Sequence, residues 1–471
     1  MKIVHVSAEC YPMAKAGGLA DVVGALPKYQ NRLGHQAIVV MPMHRTSYLI
    51  RHHWQTIYKG SFQFGGQLIE FTIIKEKTNE LGFELYCVDI NGMLDRTQIY
   101  GYEDDSERFL AFQMAVLEWI VNSTMKLDII HVHDHHAGLI PFIMQYSHRY
   151  QSLSSVKTIL TIHNAQYQGW MDWSKVKLIP AFDEWKSGLL EWNHQINSLA
   201  CAVKCVNKVN TVSKTYMNEL MVNCNGLEEL FMHENNKCTG ILNGIDYSVW
   251  NPEQDEMISF QYSIDNVDWG KQQNKKVICD QFGFDEKLPL IVFIGRLVVE
   301  KAADLIGEAI TQSYEQHGKH FNFLLLGNGD PTIEHSLSSI HEKWFGFAHI
   351  KMEYNEQLSH LMYAGADFLL MPSRVEPCGL NQLYALRYGT IPIVRRTGGL
   401  IDTIVDYEDN DGYGICFNHA TVEEITFAIK RALSLHENSH KVNLLRKKMM
   451  TINTSWEKSA AEYVDLYNSV I

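Results

Sequence analysis

Short, wholly apolar runs alternate along the chain with longer stretches in which apolar residues recur every three or four positions. In the first half the apolar runs are Lys2–Ala8, Gln36–Val40, Phe83–Asp89, Asp128–His133, Lys157–His163 and Lys208–Ser213. Helical spacing covers Gly18–Leu33, Asp105–Ser123, His136–His148 and Lys214–Val222. Runs that stay apolar are strands buried on both faces, which is the signature of a parallel sheet covered by helices. Phe62–Ile74 alternates instead and predicts an inserted amphipathic β-ribbon. The pattern restarts after Asn251-Pro252 and a polar stretch reaching about Pro289. Strands are then expected at Leu290–Gly295, Phe321–Gly327, His349–Met352, Asp367–Met371 and Ile391–Val394. Helices are expected at Lys301–Ser313, Glu334–Lys343, Asn355–Gly365, Gly379–Gly389 and Thr421–Leu433. The chain therefore reads as α/β, with two doubly wound Rossmann-like domains. The boundary falls near 240–250: residues 1–245 form the first domain and 246–455 the second. An amphipathic helix from Trp456 to about Ser469 closes the chain. In such sheets ligands bind beyond the carboxyl ends of the strands, and a deep cleft between two domains is the default site.

Composition narrows the class. The 471 residues are too many for one ordinary core. A net charge of -13, with no basic run, excludes a general nucleic-acid binder. Any phosphate ligand must meet a local basic pocket. No apolar run is long enough to span a membrane. The N-terminus shows no signal-peptide pattern, so a cytoplasmic protein is expected. The nine cysteines include no Cys-x-x-Cys pair and read as reduced thiols.

Polar clusters fall where the strands end. After the first strand, Lys15-Ala16-Gly17-Gly18-Leu19-Ala20-Asp21 opens a helix. Adjacent glycines let a backbone approach a ligand and take angles other residues resist, and a helix start offers free N–H groups to an anion. The heptapeptide alone is equally a plain tight turn. A second Gly-Gly-Leu at Gly398–Leu400, also preceded by basic residues, favours two similar domains addressing one charged ligand. Arg296 follows an apolar strand and Lys301 lies five residues on, a pair able to hold a diphosphate. Glu376 sits between prolines before the helix expected at Gly379. It is either a helix-start carboxylate or a group that grips sugar hydroxyls. Cys378 has no histidine near it in sequence, which disfavours a nucleophile. His131-Val132-His133-Asp134 puts two imidazoles on one strand face, but no metal-ligand spacing supports a metal. His163-Asn164 ends another apolar strand, and Asn243-Gly244 marks a turn at the boundary. Gly327-Asn328-Gly329 lacks the third glycine of a dinucleotide fingerprint, and there is no Walker loop.

Taken in order, these segments resemble the bacterial glycogen synthases and plant starch synthases. The likeness runs through Lys15–Val22 with Gly24–Pro27, His131–Gly138, Thr161–Gln166, Gly240–Pro252, Gly295–Leu305, Tyr354–Leu386, Thr397–Val405 and Trp456-x-x-Ser-Ala-x-x-Tyr463, nearly the whole chain. The resemblance implies the GT-B glycosyltransferase architecture, with the last helix packing back on the first, acceptor-side domain. The second domain would bind the nucleotide sugar. The implied reaction moves glucose from ADP-glucose to the non-reducing 4-hydroxyl of an α-1,4-glucan, with retention, and needs no metal or cofactor. Lys15, Arg296 and Lys301 would offset diphosphate charge. Gly17, Gly18 and Asp21 would shape the N-terminal loop. Glu376 would bind the transferred glucose, with N–H groups of Cys378, Gly379, Leu380 and Asn381 near a phosphate. The backbone carbonyl of His163 would stabilise the anomeric centre; Asp134, Asn164 and Asn243 would line the sugar, and Tyr354 would stack near the base.

The chain departs from the family at Ala16, Ala302, Asn381 and the segment 192–205, where Ala200 replaces a common lysine. Competing readings are a UDP-glucose-dependent or disaccharide-forming transferase and a non-catalytic glycan-binding homologue. A glucan phosphorylase would need a pyridoxal phosphate lysine motif, which is not found.

Overall fold

The computed structural model describes residues 1–78 and 80–471. The chain forms two compact units: residues 1–242 with 456–471, and residues 243–455. In unit 1 the strands are β1 Lys2–Val6, β2 Gln36–Pro42, β3 Trp54–Phe64, β4 Gln67–Glu76, β5 Glu84–Asp89, β6 Ile129–His133 and β7 Lys157–Ile162. A small three-stranded sheet follows, β8 Trp170–Met171, β9 Glu191–Trp192 and β10 Gln195–Asn197, and then β11 Lys208–Thr211 and β12 Cys238–Gly240. The main sheet runs β12-β11-β7-β6-β1-β2-β5-β4-β3. All its pairings are parallel except those of the β3–β4 hairpin and of β4 with β5.

Unit 2 contains β13 Leu290–Ile294, β14 Asn322–Leu326, β15 Ala348–Lys351, β16 Phe368–Met371, β17 Ile391–Arg395 and β18 Ile415–Phe417. Its order, β15-β14-β13-β16-β17-β18, is fully parallel. In both units the chain moves outward to one side of the first strand and then returns to its other side. The reversal lies between β1 and β6 in unit 1 and between β13 and β16 in unit 2. A crevice opens at the carboxyl ends of the strands at such a point, because adjacent connections leave on opposite faces.

The apolar runs form the central strands, every residue of β14 and β16 being buried. The predicted ribbon is longer than its alternation indicated, since residues 54–61 of β3 add a stretch with no buried position. Gly65 and Gly66 make its turn with φ of 58° and 85°, values that disfavour any side chain. The helix expected over His136–His148 is broken into a turn at His135–Ala137 and a helix at Ile140–Tyr146.

The polar stretch before Pro289 holds a helix the hydrophobic pattern did not predict, Val267–Phe282. Its buried face includes Gly270, Lys271, Asn274 and Lys275 rather than aliphatic residues alone. The Lys271 ammonium donates to the carbonyls of Tyr363, Ala364 and Tyr388 and to Thr390 Oγ1. Lys275 pairs with buried Asp367 at 2.8 Å. These lysines close loop and helix-end carbonyls, so a polar pattern encodes an inward face.

The last helix, Trp456–Asn468, belongs to unit 1. Trp456, Ala460, Tyr463 and Tyr467 bury against Val22, Leu26 and Tyr29 of the helix Gly18–Arg32. Each large side chain so buried contributes about 1.5–3 kcal/mol. No helix among the described residues is long and apolar enough to cross a membrane.

Candidate active site

In unit 1 the loop after β1 carries Lys15–Asp21. Its geometry corrects the expectation for the glycines. Gly17 is extended, with φ of -149°, and neither Gly17 nor Gly18 has positive φ. A Cβ built on either meets nothing within 4 Å. Their contribution is open space above the backbone, not an unusual dihedral. The helix-start N–H groups are also not all free. Glu9 Oε2 accepts from Ala16 N at 2.5 Å and Gly17 N at 3.0 Å, and Tyr100 donates to Glu9 Oε1 at 2.6 Å. Lys15 is tied to Asp21 at 2.7 Å. The loop is thus clamped from beneath by a buried glutamate that the sequence reading missed. Glu9 lies between the end of β1 at Val6 and the helix start at Gly18, where it finds backbone N–H groups to accept from.

The carboxyl ends of β6 and β7 are joined through Asp134. Its backbone takes a φ of 55°, and its Oδ1 accepts from the His163 N–H at 2.7 Å and from the Asn164 N–H. Burial pushes the Asp134 carboxyl up to about 7 and pushes His163 down to about 3, so the imidazole is neutral. His163, Asn164 and Asp134 are thereby brought together, with the peptide of residues 163–164 fixed by one carboxylate.

In unit 2 the loops after β13 and β16 meet. Lys301 ends the turn Val299–Lys301, and its ammonium lies 2.5 Å from Glu376 Oε2. Ser373 Oγ donates to the same oxygen at 2.8 Å. The Glu376 carboxylate is almost wholly buried, while the Lys301 side chain is a quarter exposed. Arg296 is exposed and has no ion-pair or hydrogen-bond partner among the described residues. Ala302, which follows Lys301, has φ of 52°, a conformation that favours glycine.

After Glu376 the chain turns through Gly379, at φ of 76°, into the helix Asn381–Tyr388, whose N-cap Leu380 offers no side-chain acceptor. Its first N–H groups are therefore available to an external acceptor. The Asn381 amide donates to the Ile294 carbonyl at 2.6 Å, anchoring the helix start to the end of β13. Asn243 sits beside Cys378, and its buried Oδ1 has no partner among the described residues. Burial pushes the Cys378 thiol up to about 12, which leaves it protonated and poorly nucleophilic. Tyr354 is largely exposed on the loop after β15.

The second Gly-Gly-Leu has a packing role. A Cβ at Gly398 would lie 2.1 Å from the Glu376 carbonyl oxygen, and one at Gly399 would lie 2.1 Å from that of Cys378. The Gly399 N–H is taken by the Glu376 carbonyl. Arg395 Nε and Nη2 donate to the carbonyls of Ser373 and Arg374, each at 2.6 Å. Arg395 and these glycines hold the Glu376 loop in place.

Two doubly wound units, one presenting cations around a buried carboxylate and the other a neutral histidine with a fixed peptide, have the form of a GT-B glycosyltransferase. Residues 2–233 match the family described as starch synthase catalytic domain, and residues 274–448 match glycosyl transferases group 1. A glycogen synthase of Flavobacterium johnsoniae is 49% identical over 471 residues, covering 100% of this chain and 99% of the relative. One from Finegoldia magna is 34% identical over 486 residues, with both chains fully covered. The solved catalytic domain of starch synthase IV from Arabidopsis thaliana, bound to ADP and acarbose, superposes with a TM-score of 0.91 at 31% identity, over 100% of this chain and 99% of that one. Sucrose-phosphate synthase from Thermosynechococcus elongatus shares the fold at a TM-score of 0.66 and 15% identity. The chain belongs to the starch synthase family of glycosyltransferases and is an enzyme of glucosyl transfer.

Proposed function

We propose that the enzyme transfers glucose from ADP-glucose to the non-reducing 4-hydroxyl of an α-1,4-glucan, with retention at the anomeric carbon. The observation that carries the reading is the buried Glu376 carboxylate, held by Lys301 and Ser373 at the switch point of unit 2 with the unpaired Arg296 on the same edge. Departure of ADP builds negative charge on the phosphates and positive charge on the sugar, and fixed charges aimed at each are the expected main source of rate. Arg296 and Lys301 take the diphosphate, assisted by the N–H groups of Cys378, Gly379, Leu380 and Asn381. Glu376 accepts from hydroxyls of the transferred glucose. Lys15, held in readiness by Asp21, adds a further cation, and the open space above Gly17 and Gly18 admits the ligand. The His163 carbonyl faces the developing positive charge, with its peptide oriented by Asp134. Asn164 and Asn243 bind sugar hydroxyls, and Tyr354 stacks on the base.

No nucleophilic side chain is needed. The Cys378 thiol is protonated, which supports attack by the acceptor on the face the leaving group vacates, within an ion pair. Unit 1 with the last helix serves the acceptor and unit 2 the donor. Nine unpaired cysteines support a reducing, cytoplasmic setting. The mechanism calls on no metal or cofactor. The reading is tested by supplying radiolabelled ADP-glucose and UDP-glucose at equal concentration with glycogen. Preferential incorporation from ADP-glucose is expected. Preference for UDP-glucose would overturn the donor assignment, and label in polymer from neither would overturn the reaction.

A further inference from the structure

Behind His163, the core of unit 1 contains an unbroken line of hydrogen-bonded side chains that the reaction as described leaves unused. His5 on β1 and His131 and His133 on β6 are fully buried, as is Gln30 on the helix Gly18–Arg32. Gln30 Oε1 lies 2.8 Å from His5 Nε2, His5 Nδ1 lies 3.0 Å from His133 Nε2, and His133 Nδ1 lies 3.0 Å from His163 Nε2. On the other side of Gln30 its Nε2 donates to the Tyr467 hydroxyl at 2.9 Å. Tyr467 is 2.7 Å from His131 Nδ1, and His131 Nε2 is 2.7 Å from Thr161 Oγ1. Nitrogens of His5, His131 and His133 lie within 4.8 Å of one another, close enough for a metal. Yet both nitrogens of each ring already have a hydrogen-bond partner.

Burial holds these rings neutral: His5 is pushed down to about 4, and His131 and His133 well below the usual range. A neutral imidazole has one donor and one acceptor, so the sense of one hydrogen bond dictates the next. A carbonyl oxygen can only accept. Gln30 Oε1 therefore requires the proton on His5 Nε2, which leaves His5 Nδ1 bare. His133 must then donate from Nε2 and accept at Nδ1. His163 must donate from Nε2, leaving its own Nδ1 as a bare acceptor. Turning the Gln30 amide over would reverse every step. In the present arrangement the Tyr467 hydroxyl accepts from Gln30 Nε2, which leaves its own proton to point at His131 Nδ1.

We propose that Gln30, His5 and His133 form a positioning relay that fixes His163 in the Nε2–H tautomer, with its sense set by the Tyr467 hydroxyl on the C-terminal helix. The functional half of the proposal rests on the reading of His163 as a residue beside the reacting sugar. The bare Nδ1 then accepts a hydrogen bond from a sugar hydroxyl, and the ring orientation holds the neighbouring carbonyl in place. The last helix thereby bears on the site chemically as well as through packing.

The test is 15N spectroscopy of the full chain labelled at histidine, in which bare and protonated ring nitrogens are resolved, combined with kcat and donor KM. The wild-type His163 should show one tautomer, with Nδ1 bare. Gln30→Met deprives His5 Nε2–H of its acceptor. The relay should then reverse, since a bare nitrogen is easier to bury than an unpaired N–H. His163 should become Nδ1–H, and kcat should fall about five- to a hundredfold with donor KM little changed, the loss expected for one hydrogen bond to a buried group. Tyr467→Phe removes only the hydroxyl, keeps the ring packing and should give a tautomer mixture at His163. A His163 spectrum identical in wild type, Gln30→Met and Tyr467→Phe would overturn the relay. A tautomer that reverses while kcat stays unchanged would remove His163 from the reacting sugar but leave the relay standing. Stoichiometric zinc bound tightly by the purified chain and lost in His5→Asn would also overturn the relay.

Discussion

Replacing Glu376 by alanine separates a catalytic role from a structural one. The carboxylate is almost fully buried, 2.5 Å from Lys301 and 2.8 Å from Ser373. Breaking a wholly buried pair costs about 3–5 kcal/mol, because the remaining charge has no partner. Lys301 is a quarter exposed and can turn its ammonium to water, so the structural cost drops to about 1–3 kcal/mol. That lies within the roughly 5–15 kcal/mol available to a folded domain. The variant should therefore fold, with a lowered melting temperature. In the reaction proposed above, the same carboxylate accepts hydrogen bonds from the transferred glucose, each charged bond contributing about 1.5–3 kcal/mol. Losing two lowers kcat by about a hundredfold to ten-thousandfold. The assay is initial-rate incorporation of labelled glucose into glycogen, run beside a thermal melt. Glu376→Gln keeps an acceptor oxygen without the charge and should fall between the two. A rate within threefold of wild type in a folded Glu376→Ala protein would refute the reasoning.

Other outcomes follow from the same geometry. Lys15→Gln should raise the KM for the donor and weaken the salt dependence of donor binding; an unchanged donor dependence would exclude Lys15 from the diphosphate. Asp134, raised to about 7 by burial, should give kcat an acid limb: the charged fraction falls about tenfold between pH 8 and pH 6. Asp134→Asn should abolish that limb, and a pH profile unaltered by the substitution would show that another group titrates. In stability the signs differ. The raised Asp134 favours the fold fully below about pH 4, and that contribution is lost as pH rises towards 7. The depressed His5 and His163 favour the fold fully above about pH 6.5, and theirs is lost as pH falls towards 4 and 3. Denaturant titrations from pH 8 to pH 4 should therefore show net loss on acidification, and His5→Asn should reduce the slope. Lys271→Met should lower the melting temperature, because three carbonyls lose their shared donor; an unchanged melt would show that those carbonyls find other partners.

The elements most legible in the sequence were those whose environment is uniform. Strands such as β13, β14 and β16 are buried on both faces, so their apolar runs admit one reading. Lys301 and Glu376 were visible because each lies on the loop that follows such a run. Val267–Phe282 was hidden because Lys271 and Lys275 take positions where a core helix normally carries aliphatic residues. Glu9 escaped notice because its partners are backbone N–H groups, which leave no trace in residue type. Gly17-Gly18 and Gly398-Gly399 look alike in sequence but differ in their surroundings: nothing lies above the first pair, whereas carbonyl oxygens press on the second. The histidines of β6 showed in sequence only as two imidazoles on one strand face, and they are buried, as is His5 of β1. Their connection to His163 depends on strand register and on a tyrosine more than three hundred residues away.

The central claim, retaining transfer from ADP-glucose to the non-reducing end of an α-1,4-glucan, is tested most directly on the product. Glycogen extended with labelled ADP-glucose is digested with an exo-acting hydrolase that removes α-1,4-linked residues from non-reducing ends. Rapid and complete release of the label is the predicted result. Label that resists the enzyme, or that is released only after internal cleavage of the polymer, would contradict the account.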